Sequence, residues 1–258
     1  MSCPRTSDSD LTQFKWQPIP DSNRDRDDMV LCIFAEQRSI SARLQSHNLD
    51  HKEYLLSLVD SAPTSTDCTG RQATFDAWRM RTVITEAAAK GYWGKLPKPG
   101  RAQGIAAHYE DSVCIAVLLD VEVSDEGGLT IHEALVVADV GPEQSPGRIR
   151  ALLEGACLLG VAFVTSSNIG PTTSNLFTVD TQRSGYPMIS VFPKKMTVHL
   201  TSSVENLDAD QSTMGSQINQ LSYMSVVRAL CNAIFNATKH RTCQLLLRSQ
   251  LLEKTEES

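Results

Sequence analysis

The stretch Gly100–Gly141, GRAQGIAAHYEDSVCIAVLLDVEVSDEGGLTIHEALVVADVG, decides the fold. Inside it, Gln103–His108, Val113–Val123 and Leu129–Val140 are runs of β-branched and small apolar residues bounded by turn formers, so three strands are expected. Asp125-Glu126-Gly127-Gly128 supplies hairpin chemistry between the second and third, because glycine enters the positive-φ conformations of tight turns without steric cost. A sheet of this kind buries its apolar surface against another element, and the flanking sequence offers helices. Upstream, Trp78, Val83, Ile84, Ala87 and Ala88 form an apolar stripe that Gly91 ends, and Lys95–Gly100 (KLPKPG) makes the turn into the first strand. Downstream, Ser145-Pro146 starts a helix, with Ser as cap and Pro in the first turn, and Ile149, Leu152, Leu153, Ala156 and Leu159 follow at helical spacing. Lys195–Leu200 is a further strand and Tyr223–Thr238 a helix rich in small apolar residues. The expected class is α+β, a mixed or antiparallel sheet packed with helices.

Outside this body the chain changes character. Residues 1–28 are rich in Ser, Asp, Asn, Pro and Arg and end in Arg24-Asp25-Arg26-Asp27-Asp28, the composition of a disordered leader. Residues 29–76 hold a strand-like run, Met29–Ala35, a helix over Asp50–Val59 that Asp50 caps, and a Ser/Thr/Pro/Asp loop over Asp60–Gly70. Residues 77–250 form the main domain and 251–258 a polar tail.

The charge of −6 and the absence of a basic cluster beyond pairs such as Lys194-Lys195 argue against nucleic acid as a partner. The longest apolar run, near Ala151–Ile169, is broken by Glu154, glycines and polar residues, so no membrane span is expected. Met1–Asp10 has no apolar segment of the secretory kind. Seven cysteines occur at wide spacing without a CxxC pair, which speaks against a disulfide framework, a structural zinc site or an iron–sulfur cluster, and for a reducing, cytoplasmic setting. Cys114 and Cys157 lie in apolar runs, where Cys acts as a small core residue. No GxSxG elbow, GxGxxG loop or phosphate-binding loop is present. His47 and His51 stand at helical i,i+4 spacing but lack a third ligand nearby, and read as surface histidines. His108, His132 and His199 fall in strands and read as hydrogen-bonding groups. Glu154 points either into a pocket or interface, or to solvent from an amphipathic helix.

The order of several motifs carries more. RTVITEAAAKGYWG (81–94) and GRAQGIAAH (100–108), then DVEVSDEGGLTIHEALVVADVG (120–141), SPGRIRALLEG (145–155), Ser174-Asn175-Leu176, MTVHLTSS (196–203) and ALCNAIFNATKHR (229–241) follow one another. This succession resembles that of the molybdopterin-binding subunit of the xanthine dehydrogenase/aldehyde oxidase family, of the isoquinoline 1-oxidoreductase β-subunit type. There GRGRGIAVH, an NP…QxEG element, SNF and ALANAIFAATGKR occur in the same order. The resemblance covers roughly residues 77–247 and implies part of the second molybdopterin-binding domain of a truncated, divergent relative. It also implies an oxidoreductase that places oxygen from water on aldehydes or N-heterocycles with a molybdenum–pterin cofactor. The implied partners are a complementary molybdopterin-binding chain and an iron–sulfur subunit.

On that resemblance the cofactor-pocket positions are Leu152, Glu154, Gly155, Gly215, Ser216 and Gln220. The family's catalytic glutamate lies in a GGVGEPGxPP loop just before the ALANAIF helix. Here the matching stretch is Thr213–Ser222. Matched from Gly215, Ser216 takes the glutamate's place; counted back from the helix, Gln220 does. Neither is a carboxylate, and a general base must accept a proton, so the catalytic residue is unassigned. Leu152 stands where the family carries a pterin-binding Gln, and it cannot hydrogen-bond. A catalytically inactive descendant serving as a small-molecule or protein-binding module is the alternative reading.

Overall fold

The computed structural model describes residues 44, 49–61, 76–95, 98–110, 113–125, 128–141, 145–166, 169–170, 178–179, 191–201 and 211–239. The expected leader, the Met29–Ala35 strand, residues 62–70 of the Asp60–Gly70 loop, the Ser174-Asn175-Leu176 motif and the 251–258 tail lie outside them, as does His47; Asp60 and Ser61 are helical rather than loop.

The described chain runs α1 (His51–Ser61), α2 (Ala77–Lys90), β1 (Arg101–Glu110), β2 (Val113–Val123), β3 (Leu129–Asp139), α3 (Pro146–Ser166), β4 (Ile169–Gly170), β5 (Thr178–Val179), β6 (Lys195–Leu200) and α4 (Gln211–Thr238). Strands β1, β2 and β3 form an antiparallel meander, and β6 joins β3 in parallel, giving the order β1-β2-β3-β6. The protein is thus α+β with a mixed sheet. A parallel neighbour needs a long crossover, and α3 lies within it.

Side chains of the central strands alternate between two buried faces, which is why β2 reads as one continuous apolar run. Ile115, Val117, Leu119 and Val121 point to one face with Ile131, Ala134 and Val136 of β3. Cys114, Ala116 and Leu118 point to the other with Leu135 and Val137. Helix α4 covers the first face and packs across β1 and β2, with α3 against α4 and β6. Helices α1 and α2 cover the second. The result is three layers with a core on each side of the sheet.

Local chemistry sets the element ends. The Asp50 carboxylate accepts from the backbone N–H groups of Lys52 (2.8 Å) and Glu53 (3.2 Å) at the start of α1. Asp76 does the same for Trp78 and Arg79 at 2.9 and 3.1 Å on α2, and the Gly91 N–H closes that helix on the Ala87 carbonyl. Helix α3 starts at Pro146 as expected. Two expectations change. Trp78 is 66% exposed, because it lies about 200° around α2 from Met80, which takes its place beside Val83, Ile84, Ala87 and Ala88. Helix α4 begins at Gln211 rather than Tyr223, since no proline interrupts 211–222 and a single glycine, Gly215, costs a helix of this length only about 1 kcal/mol.

Candidate functional site

The six pocket positions expected from the family motifs fall on two neighbouring helices. Leu152 is half-buried and packs against the main core, while Glu154 and Gly155 are exposed. Glu154 therefore takes the solvent-facing alternative. A Cβ built on Gly155 meets nothing within 4 Å, so its missing side chain makes no cradle within this chain. Gly215, Ser216 and Gln220 lie inside the helical span of α4, not in a loop. Against a molybdenum–pterin group the α3 positions do not fit: Leu152 offers no polar atom, and no buried polar side-chain atom lacking a hydrogen bond lies on α3 among the described residues. Nor does any group of three or more His, Cys, Asp or Glu gather to hold a metal among them.

The polar chemistry that the structure does assemble sits elsewhere. Arg79 of α2 reaches the end of β3, where its Nε donates to Asp139 Oδ2 at 3.0 Å and its Nη2 to Oδ1 at 2.6 Å. Nη2 also reaches the Asp139 carbonyl at 3.3 Å, and the Gly141 N–H donates to Oδ1 at 3.0 Å. Both side chains are buried, so the fork-shaped pair fastens α2 to the sheet by satisfying two charges that neither helix nor strand could bury alone. Burial opposes the guanidinium charge, and the hydrogen bond to Asp139 together with the electrostatic attraction of Cys114, Asp139 and Asp76 outweighs it, so the Arg79 pKa stands above its usual value. Nearby, burial pushes the Cys114 thiol up to about 12.

On the opposite face, α4 approaches β1 so closely that only glycine fits at Gly104. A Cβ there would stand 2.1 Å from the Ala229 carbonyl oxygen and 2.3 Å from the Ala233 nitrogen. The approach lets Asn232 donate to the Ile105 carbonyl and Asn236 to the Gln103 carbonyl, each at 2.9 Å. Among the described strands β1 lies at the sheet edge, and these side chains occupy two of its outward carbonyls. Farther along the same contact, His108 Nδ1 lies 3.1 Å from Ser225 Oγ, while Nε2 is buried with no hydrogen-bond partner. Burial holds the His108 pKa well below its usual value, with the Arg228 charge adding to the effect.

His51 departs from its reading as a surface residue. It is only 6% exposed, and its ring is hydrogen-bonded by the Asn232 side chain. Burial lowers its pKa to about 4, against the raising effects of Asp50 and Asn232. The strand histidines do form polar contacts: His132 Nε2 with Glu122 Oε2 at 2.5 Å, and His199 Nε2 with Glu86 Oε2 at 3.1 Å.

Sequence reading passed over Arg79, Asp139, Ser225, Asn232 and Asn236. The asparagines carried a usable signal: two amides at i,i+4 spacing in an otherwise apolar helix need buried partners. The Arg79–Asp139 pair is separated by 60 positions and leaves no local mark.

No protein-family profile and no curated protein matches the sequence. Among solved structures, the chain is similar to the aldehyde oxidoreductase of Desulfovibrio desulfuricans, at 21% identity over 55% of this chain and 15% of that one, with a TM-score of 0.43. It is similar to the aldehyde oxidoreductase of Desulfovibrio gigas at 18% identity, over 56% of this chain and 15% of that one, with a TM-score of 0.40. The quinoline 2-oxidoreductase of Pseudomonas putida follows at 10% identity, over 56% and 18% of the two chains, TM-score 0.40. This chain spans about 15% of the length of the two aldehyde oxidoreductases. Such identities and scores carry no argument about activity.

Proposed function

We propose that this chain is an oxidoreductase-related module equivalent to one wall of a molybdenum hydroxylase pocket. It would act with a complementary molybdopterin-binding chain and an iron–sulfur subunit in the hydroxylation of an aldehyde or N-heterocycle. The observation that supports the reading is that the motif-bearing blocks 81–94, 100–108, 120–141, 145–155 and 229–238 fold against one another around a single sheet. In particular, the Ala229–Thr238 segment and the Leu129–Asp139 strand share one core, through Ala229, Ala233 and Ile234 on one side and Ile131, Ala134 and Val136 on the other.

Since the α3 positions do not fit the cofactor, the complementary chain would hold it, and the cofactor would supply the redox chemistry there. This chain's own residues supply no proton-accepting carboxylate at the matched positions, where Ser216 and Gln220 stand. Its described residues instead contribute the rigid sheet, fixed by the Arg79–Asp139 pair and the asparagine contacts on β1. The neutral residues at 216 and 220 and the apolar Leu152 favour a second reading, a catalytically inactive descendant that binds a small molecule or a protein.

Metal and pterin analysis of protein purified from its native source separates the two. Molybdenum and pterin recovered with a co-purifying partner support the first reading. A folded protein that carries neither, with or without partners, sinks it and leaves the second.

A further inference from the structure

The contact between α1 and α4 places a titratable group where a helix is fastened to an edge strand. His51 opens α1, and its buried ring meets Asn232. The Asn232 amide nitrogen donates to the Ile105 carbonyl of β1, and the Asn232 bond to the ring favours the protonated ring, as an amide oxygen accepting the ring's N–H does. The other ring nitrogen, Nε2, is buried and has no hydrogen-bond partner. A neutral imidazole suits this seat, since a bare nitrogen costs less to bury than an N–H cation with no acceptor. Beyond the ring, Leu55, Leu56 and Val59 of α1 rest on the second core, which includes Ile105 and Ala107 of β1 and Met80 and Val83 of α2.

We propose that α1 is an acid-released clasp: a neutral His51 fastens it to Asn232 and the β1 edge, and protonation of that ring frees the helix while the sheet stays folded.

The groups around the ring set the direction. On its own element, Asp50 favours the protonated ring, but its carboxylate already accepts from Lys52 and Glu53 and from the Trp93 indole N–H at 3.1 Å. From the end of α4, the Lys239 charge opposes protonation. From α2, Arg81 pairs with Asp60 at the far end of α1. Lys52 and Glu53 pair with each other on the exposed side. Released, α1 would uncover Ile105 and Ala107 on the strand whose outer carbonyls α4 continues to hold.

A ring held near 4 when docked and near 6.5 when free loses docking strength as pH falls between those values. Amide hydrogen exchange on the full chain reads this directly, with protection of Tyr54–Ser61 compared with that of β2. From about pH 7.5 to about pH 5, α1 protection should fall about thirty-fold while staying below that of β2 throughout, the mark of a helix released from a sheet that remains folded. His51→Gln should abolish the fall in α1, because glutamine stays neutral across the range. Constant α1 protection, or α1 protection equal to that of β2, overturns the proposal. So does a fall of the same size in His51→Gln. Should that variant not fold, the comparison of α1 with β2 in the natural sequence decides alone.

Discussion

Replacing Gly104 with alanine tests the central packing contact of the fold. The added methyl would sit 2.1 Å from the Ala229 carbonyl oxygen, 2.3 Å from the Ala233 nitrogen and 2.8 Å from its Cα. All three are backbone atoms, which cannot rotate out of the way as a flexible side chain would. Relief requires α4 to retreat by roughly 1 Å, and overpacking of this kind costs about 1–3 kcal/mol. The same retreat stretches the Asn232 and Asn236 hydrogen bonds to β1, now both 2.9 Å, each with a net value of about 1 kcal/mol. Together the loss should be on the order of 3–5 kcal/mol. Urea unfolding followed by circular dichroism measures it as a lower midpoint with an unchanged slope. Gly155→Ala is the internal control, since its Cβ meets nothing within 4 Å on an exposed helical turn. It should stabilise by about 0.5–1 kcal/mol. If Gly104→Ala costs under about 1 kcal/mol, α4 does not cross β1 at the described distance and the packing argument fails.

Arg79→Met strands the Asp139 carboxylate in the interior and should cost about 3–5 kcal/mol, whereas Arg79→Met with Asp139→Leu should recover much of it; a double-mutant cycle on unfolding free energies checks both. Global stability should fall as pH drops from about 6.5 towards 4. The unfolded chain then binds a proton at His51 that the native state refuses, a loss on the order of 3 kcal/mol that urea titrations at several pH values would show. His108 is depressed in the same direction and adds to the slope; a stability that is flat across this range would contradict the buried neutral rings. Cys114, Cys157 and Cys231, with thiols pushed up to about 12 by burial, should resist alkylation at neutral pH until the protein unfolds. Peptide mapping after a timed iodoacetamide pulse reads this, and early labelling of any of the three would refute it.

The legible part of the fold was what periodicity and local chemistry control. The three-strand meander, the Asp50 helix start, the Gly91 stop and the Pro146 start rest on interactions within a few residues, and sequence displays those; the Asp76 cap of α2 was passed over. Strand β6 was visible as an element, but its parallel pairing with β3 depends on a crossover of more than fifty residues, which no local pattern encodes. The start of α4 was missed because residues 211–222 have indifferent helix propensity, although they continue the helix that ends at Thr238. Among the candidate site residues, motif alignment gave positions but no surroundings. It could not show that Glu154 and Gly155 face outward, or that His51, read as a surface group, is buried beneath α4's Asn232. Burial of one histidine against a residue 181 positions away is a tertiary fact.

The asparagine pair on α4 has a consequence for assembly. A sheet grows when an incoming chain finds a row of vacant main-chain acceptors, and along β1 the Gln103 and Ile105 oxygens are already taken by this protein's own amides. A strand arriving there would first have to evict two side chains anchored in a packed helix. Intermolecular β-pairing at this border is therefore disfavoured even at high protein concentration, and substituting both asparagines would remove that guard.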